Sequence, residues 1–184
     1  MTAVAGRPAG KHTVVMTDQG PSSRLTAAKT LADMVRRVHA DVGAPLVWET
    51  ARKLVAGVQP RDEVSQVSAL RAWTSAHFKF VNDPLWHQLL ETPLYALEHV
   101  RDTGFVQGNC ADAAMLTAAL CAAIHIPCRF IAVGFHTPDA PYSHVFTMAY
   151  PHTVSGSKAA VEMDITRPAG LKKAGFTRRL MVDV

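Results

Sequence analysis

The sequence contains few cysteines and no long apolar run. Its three cysteines, at positions 110, 121 and 128, are too few and odd in number for the disulfide framework of a small secreted domain. No run of about 18 apolar residues occurs, so no membrane-spanning helix is expected. The first residues also lack the apolar core of a secretion signal. These absences predict a chain of the reducing cytoplasm without a membrane partner.

Several site motifs are also missing. Gaps of ten and six residues between successive cysteines match no closely spaced zinc pair. The segment GFVQGN (104–109) lacks the Lys and Ser/Thr of a P-loop, and no Gly-x-Ser-x-Gly elbow occurs. The formal charge of +4 comes from scattered Lys and Arg residues rather than one basic run, so nucleic acid is not an expected partner. The sequence therefore predicts neither a metal nor a cofactor.

The first half of the chain has the pattern of helices. Residues 1–22 are rich in Gly, Pro, Thr and Ala and predict a flexible N-terminal arm, in which HTVVM (12–16) could form a short strand. One domain is expected over 23–184. Apolar residues at helical spacing predict helices over 24–41, 46–57 and 61–78. Two prolines within 79–100 predict an extended piece, a turn and two short helices there, with a loop after them.

The second half changes from helical to strand periodicity. An alanine-rich helix is predicted over 110–124, and alternating patterns predict successive strands over 128–135, 143–150 and 159–166. Residues 177–184 could add a final strand. Short turns between successive strands favour an antiparallel meander. The predicted fold class is therefore α+β, in which a Cys-bearing helix and N-terminal helices pack on an antiparallel sheet of three to four strands.

Cys110 begins the alanine-rich helix, directly after Gly108 and Asn109. Asn is a favoured N-cap, and Gly permits a sharp entry. A helix N-terminus stabilises a thiolate, and the backbone N–H of Cys110 could form part of an oxyanion hole. A lone cysteine in such a helix is also common as buried packing, which is the interpretation for Cys121 and Cys128. Cys110 alone therefore does not predict catalysis.

His144 and Asp164 could complete a catalytic site. Of the nine histidines, His144 begins a clearly alternating strand after a turn. If the next turn is centred on Val154, His144 lies directly opposite Asp164, with Cβ atoms ~4.5–5.5 Å apart. The carboxylate could then hold the imidazole's tautomer and stabilise its charged form. Either residue alone could be structural, but the order Cys, His, Asp predicts a triad.

These motifs together resemble the transglutaminase-like superfamily, relatives of the papain-like thiol enzymes. GNC (108–110) resembles the family's Gly-Asp-Cys turn, and HIPCRF (125–130) resembles its Gly-Ile-Pro-x-Arg turn. SHVFTMAY (143–150) and VEMDIT (161–166) resemble the strands that carry its His and its acid. FVNDPLWHQLLETPLYAL (80–97) resembles the segment before the cysteine in short stand-alone members from bacteria and phages. The resemblance covers roughly residues 25–166.

The resemblance implies Cys110 as nucleophile, His144 as general base and acid, and Asp164 as the orienting carboxylate. It implies thiolate attack on an amide, a thioester intermediate, and transfer to water or an amine without a metal. Gln107 is a side-chain candidate for the oxyanion hole, although it lies only three residues before the cysteine and papain-like glutamines lie at a longer spacing. The chain departs from the family pattern at Asn109, where an acid is common, and at His125, where Gly is usual.

Two classes of function fit these features. The first is a cysteine-dependent amide hydrolase or acyltransferase that acts on a protein or peptide. Hydrolysis is favoured because no second domain is evident to recruit an acyl acceptor. The second is a virion or assembly protein built on this fold with little or no catalysis, whose arm at 1–22 contacts a neighbouring subunit. The first predicts a cytoplasmic location, and the second a virion-associated one for a phage protein.

Overall fold

The computed structural model describes residues 12–16, 24–83, 87–135, 137, 139, 141–166 and 175–184. Its helices are α1 (Arg24–Asp41), α2 (Pro45–Val55), α3 (Glu63–His77), α4 (Pro93–Thr103) and α5 (Cys110–Ala123). Its strands are β1 (His12–Met16), β2 (Phe78–Phe80), β3 (His87–Glu91), β4 (Val106–Gly108), β5 (Cys128–Phe135), β6 (His144–Ala149), β7 (Val161–Glu162) and β8 (Phe176–Asp183). This content confirms the predicted α+β fold class.

Helix α5 lies in the core of the domain. Its residues 111–121 are all buried, and it packs against α1, α2 and α3 as well as β5 and β6. A helix that is apolar around its whole circumference belongs in a core, and its many alanines let neighbouring elements approach closely. The Thr147 hydroxyl on β6 donates a hydrogen bond to the Ala114 carbonyl at 2.7 Å. This bond fastens the helix to the sheet beneath it.

The main sheet has the strand order β7-β6-β5-β8 and is antiparallel throughout. It confirms the predicted antiparallel sheet, with four strands. The optional last strand forms as β8, but it pairs with β5 rather than β7, so the chain passes to the opposite edge. Strand β7 is shorter than predicted, because the chain leaves the ladder soon after Glu162. The central strands β5 and β6 are almost entirely buried.

Two local predictions between residues 79 and 109 are wrong. Residues 87–91 form β3 where a short helix was expected, and the predicted loop contains β4, which pairs in parallel with β2. Both strands depend on partners that are distant in sequence. Strand β4 is bonded to β2. The backbone of β3 donates hydrogen bonds to the Asp83 and Asp112 carboxylates and accepts one from the Asn109 side-chain amide. Such long-range partners override local propensity.

Part of the N-terminal segment is described. Residues 12–16 form β1, which pairs antiparallel with β3, and this confirms the optional short strand. The rest of the predicted arm at 1–22 lies outside the described residues, as does most of the predicted turn at 168–176. In the described part of the chain, no helix combines the length and the apolar character needed to span a membrane.

Candidate active site

Cys110 begins α5 behind an N-cap formed by Asn109. The Asn109 side-chain oxygen accepts hydrogen bonds from the N–H groups of Ala111 at 2.7 Å and Asp112 at 3.3 Å. The Asp112 carboxylate in turn accepts from the Asn109 N–H at 2.9 Å. This reciprocal pair is a capping box. It confirms the predicted cap and fixes the backbone on both sides of Cys110.

Gly108 is required by a close approach rather than by an unusual backbone angle. A Cβ atom at position 108 would lie 2.7 Å from the Asp112 Oδ2 atom and 2.8 Å from its Cβ atom. These distances are shorter than carbon atoms tolerate without displacement, and the obstacle is the short, buried side chain of the capping box. The Gly-Asn-Cys sequence therefore packs the Asp112 carboxylate directly against the turn that carries the thiol.

His144 and Asp164 form a buried pair beside this turn. The His144 Nε2 atom lies 2.8 Å from the Asp164 Oδ2 atom, and the two side chains are 5% and 1% exposed. The other carboxylate oxygen of Asp164 accepts from the Thr166 N–H at 3.1 Å. Arg71 on α3 donates to the Asp164 carbonyl at 3.4 Å. Both the side chain and the backbone of Asp164 are thus held in place.

The predicted hairpin register is wrong by two residues. The structure pairs Met148 with Glu162 and Ala149 with Val161, so His144 and Asp164 are not directly opposite each other. Strand β7 ends at Glu162 and Asp164 reaches the imidazole from beyond the ladder. A shift of two residues keeps side chains on the same face of a sheet, because their period is two. For this reason the contact forms although the assumed register was incorrect.

The Cys110 side chain lies close enough to His144 to influence the pKa of the imidazole. Burial disfavours the charged imidazole, but the hydrogen bonds to Asp164 and to Cys110 outweigh burial and raise the pKa of His144 to about 9. The structure therefore places the predicted residues Cys110, His144 and Asp164 beside one another, with His144 and Asp164 in direct contact.

The other two cysteines lie in the core. Burial raises the pKa of Cys121 well above its ordinary value and that of Cys128 to about 12. Cys110 alone among the three is partly exposed. The interpretation of Cys121 and Cys128 as packing residues is consistent with this burial, because a buried, protonated thiol is a poor nucleophile.

Gln107, the predicted side-chain candidate for the oxyanion hole, lies on β4 beside Lys79 of β2. Its side chain is exposed. The backbone N–H of Cys110 belongs to the first turn of α5, where helices present N–H groups that have no intrahelical acceptor. The Cys110 N–H, the backbone candidate for the oxyanion hole, therefore lies at the N-terminus of α5. The helix dipole also stabilises negative charge that develops at this end.

Sequence reasoning missed Asp83 and β3 as neighbours of the nucleophile turn. The Asn109 side-chain amide donates to the Asp83 carboxylate at 2.5 Å and to the Leu89 carbonyl at 3.2 Å. The Leu89 N–H donates to the same Asp83 oxygen at 3.0 Å. The sequence signal was weak: an Asp before a proline is an ordinary turn. Only the tertiary fold places it beside Asn109.

Asp112, the second member of the capping box, also bonds to strand β3. It is buried, and its second oxygen accepts from the Glu91 N–H on β3 at 2.7 Å. Burial raises the pKa of Asp112 to about 8, and the nearby Glu91 and Asp83 carboxylates raise it further. The two hydrogen bonds from backbone N–H groups lower the pKa but do not offset these effects. Asp112 thus connects β3 to the turn that carries Cys110.

Known proteins were compared with the chain in sequence and in structure. A family model, described as the Transglutaminase-like superfamily, matches residues 49–162. No curated protein matches the chain. A chain from Cytophaga hutchinsonii, described as a candidate cysteine protease, superposes with a TM-score of 0.50 at 16% identity, over 94% of this chain and 58% of that one. A candidate protease from Parabacteroides distasonis gives a TM-score of 0.49 at 15% identity, over 73% of this chain and 30% of that one.

The family match agrees with the motifs in the sequence. The Cytophaga structure supports the fold, and this chain spans less than two thirds of its length. The family match extends over more than half of the chain and includes both the turn of Cys110 and the strand of His144. The chain belongs to the transglutaminase-like superfamily.

Proposed function

We propose that the chain is a cysteine-dependent amide hydrolase, with Cys110 as nucleophile, His144 as general base and acid, and Asp164 as the carboxylate that orients the imidazole. The observation that carries the proposal is the position of His144, whose buried ring bonds Asp164 and lies beside the Cys110 side chain. A nucleophile, its base and an orienting group in mutual contact are what acyl transfer through a thioester requires.

In the first half of the reaction, the Cys110 thiolate attacks the carbonyl carbon of an amide. The backbone N–H of Cys110 stabilises the oxyanion that forms. His144 then gives its proton to the departing nitrogen, the carbon–nitrogen bond breaks, and a thioester on Cys110 remains. A charged imidazole is the required acid for this step, and the raised pKa of His144 provides it at neutral pH.

In the second half, His144 must act as a base. Once Cys110 is acylated, the sulfur carries no negative charge, so its contribution to the raised pKa of His144 disappears. The neutral imidazole, which has already given its proton to the leaving nitrogen, can then take a proton from water. The resulting hydroxide attacks the thioester carbon, the carbon–sulfur bond breaks and the carboxylic acid leaves. The Cys110 thiolate is then restored beside the charged imidazole. The same ring thus changes from acid to base because the charge beside it changes.

We also propose a peptide or protein as the substrate, and water rather than an amine as the acyl acceptor. Phe80 and Val81 are among the exposed large apolar residues, at 46% and 37%, and the Val81 N–H bonds the Gly108 carbonyl at 2.9 Å. They offer apolar surface next to the nucleophile turn that would suit a hydrophobic side chain of a peptide. The partly exposed Cys110 leaves the sulfur open to such a substrate.

The test is selective alkylation. The native chain is treated with iodoacetamide near neutral pH, and each cysteine's modification is followed by mass spectrometry. Cys110 should react first, and Cys121 and Cys128 should be protected until the chain unfolds. His144→Ala should slow the alkylation of Cys110 and leave the alkylation of the other two cysteines unchanged. Equal labelling of all three, or labelling only after denaturation, contradicts the proposal. If Cys110 of the native chain is not selectively alkylated and the chain is a stable oligomer by light scattering, the alternative function in assembly is favoured instead.

A further inference from the structure

The structure assigns a further positioning residue: we infer that Asp83, acting through the Asn109 amide, holds the nucleophile turn in its reactive geometry. The inference rests on the proposed function of Cys110. Asp83 does not reach the reacting atoms itself. It bonds the side chain that caps α5 one residue before the sulfur.

The Asn109 side chain is used at both of its ends. Its oxygen accepts from the N–H groups of Ala111 and Asp112 inside the helix. Its nitrogen donates outside the helix to the Asp83 carboxylate and the Leu89 carbonyl. Because oxygen and nitrogen lie on opposite sides of one planar group, the outer bonds determine where the capping oxygen points. A side chain with acceptors alone could not serve both sets of partners.

Asp83 is itself well placed to act as an anchor. It follows β2 by three residues, and β2 runs parallel to β4, the strand that leads into Gly108. The Asp83 oxygen that receives the Asn109 amide also receives the Leu89 N–H. A carboxylate acceptor makes both of these hydrogen bonds charge-assisted, which strengthens them. Three segments of the chain therefore meet at one carboxylate oxygen beside the nucleophile turn.

This arrangement explains why Asn stands at position 109, where relatives commonly carry an acid. An aspartate at 109 would place a second carboxylate against Asp83 and against the Leu89 carbonyl. It would also lie near Asp112 and Glu91, whose carboxylates already interact. Repulsion would turn the 109 side chain and release the cap. Asn109 and Asp83 thus depend on each other, and the dependence can be tested by exchange.

The first experiment measures the alkylation rate of Cys110 by iodoacetamide in Asp83→Ala and Asp83→Asn. Asp83→Ala removes the acceptor and should slow alkylation by about tenfold to a hundredfold, the range for loss of a hydrogen bond to a charged group. Asp83→Asn keeps an oxygen and should retain most of the rate. Asp62→Ala is the matched control, because it removes the N-cap of α3 and should leave the rate within about twofold, as expected for an independent site.

The second experiment exchanges the pair. Asn109→Asp alone should strongly slow the alkylation of Cys110. The double variant Asp83→Asn with Asn109→Asp should recover part of the alkylation rate, because it restores one donor–acceptor pair. Recovery would not occur if either residue acted only on global stability. The inference is overturned if Asp83→Ala matches Asp62→Ala, or, should Asp83→Ala fail to fold, if the double variant is no faster than Asn109→Asp. If Cys110 of the native chain shows no selective alkylation, the proposed function fails instead.

Discussion

The His144 Nε2 atom and the Asp164 Oδ2 atom are 2.8 Å apart, with both side chains almost fully buried. This contact fixes the orientation of the imidazole beside Cys110. The carboxylate also stabilises the charged ring that burial alone would disfavour. Removing the charge and removing the whole side chain should therefore have separable effects.

Replacement of Asp164 should distinguish its charge from its hydrogen bond. Asp164→Asn keeps an oxygen for the imidazole but loses the charge, so the pKa of His144 should fall below its raised value of about 9. Asp164→Ala loses both and should slow Cys110 alkylation by a further factor of about ten or more. The pKa can be followed by NMR titration of the imidazole resonance that is missing in His144→Gln. A pKa that is unchanged in Asp164→Asn would contradict this account.

The His144 contribution to stability should decrease with rising pH. Its folded-state pKa is raised from 6.5 to about 9, so the folded chain binds the proton more tightly than the unfolded chain. The stabilisation is complete below about pH 6.5 and is lost as the pH rises through about 9, with an upper bound of about 3 kcal/mol. The difference in Tm between the native chain and His144→Ala should therefore shrink from pH 6 to pH 10. A constant difference would show that the ring is not charged in the folded chain.

Asp112 should also destabilise the chain as the pH rises, over a lower pH range than His144. Its pKa is raised from 3.8 to about 8 by burial, so the unfolded chain loses this proton first. Linkage then lowers stability between about pH 4 and pH 8. Asp112→Asn loses one acceptor oxygen, but it should flatten this decline, so its Tm relative to the native chain should improve by several degrees from pH 4 to pH 8. Asp102→Asn, at an exposed carboxylate, is the control and should show no such trend.

Helix α5 ends in a backbone conformation that its sequence does not favour. His125 has a φ of 62°, and the bonds from the His125 N–H to the Ala122 carbonyl and from the Ile126 N–H to the Cys121 carbonyl form a Schellman motif. Glycine is the usual residue there, because a side chain in this region costs roughly 1–2 kcal/mol. His125→Gly should remove that cost in the folded chain. Because glycine also gives the unfolded chain more conformational entropy, the net stabilisation should be about 0.5–1 kcal/mol.

Urea unfolding provides the measurement for His125→Gly, and α4 offers the reverse substitution. Gly104 caps that helix with a φ of 86° and has open space around its Cα. Gly104→Ala should therefore lower stability by a similar amount for backbone reasons alone. If both variants shift the midpoint in the same direction, the positive φ at 125 is not the source of the cost.

The parts of the site that the sequence could predict are those that depend on local signals. Asn109 is a favoured cap, and strand alternation with an assumed hairpin register predicted that Asp164 lies near His144. The exact register was not predictable, because it depends on where the hairpin turn closes. Asp83 and β3 were missed for a different reason: their partners are Asn109 and Asp112, more than 20 residues away in sequence. Local sequence patterns do not predict contacts between residues so far apart.

The approach of Gly108 to Asp112 gives a prediction about the nucleophile turn itself. In Gly108→Ala, the new Cβ would lie 2.7 Å from the Asp112 Oδ2 atom, so the carboxylate must move and the capping box must break. We expect a loss of about 2 kcal/mol or more, from overpacking together with the lost cap, and slower alkylation of Cys110. Both can be measured on one preparation by urea unfolding and mass spectrometry.

Two further variants separate this contact from the general effect of replacing glycine. Gly43→Ala adds a Cβ where nothing lies within 4 Å, so it should leave both stability and alkylation nearly unchanged. Asp112→Ala in the Gly108→Ala background removes the obstacle. If the contact causes the loss, the double variant should be less destabilised than the sum of the two single variants. Additive losses would show that Gly108 is needed for its backbone freedom and not for the space that Asp112 occupies.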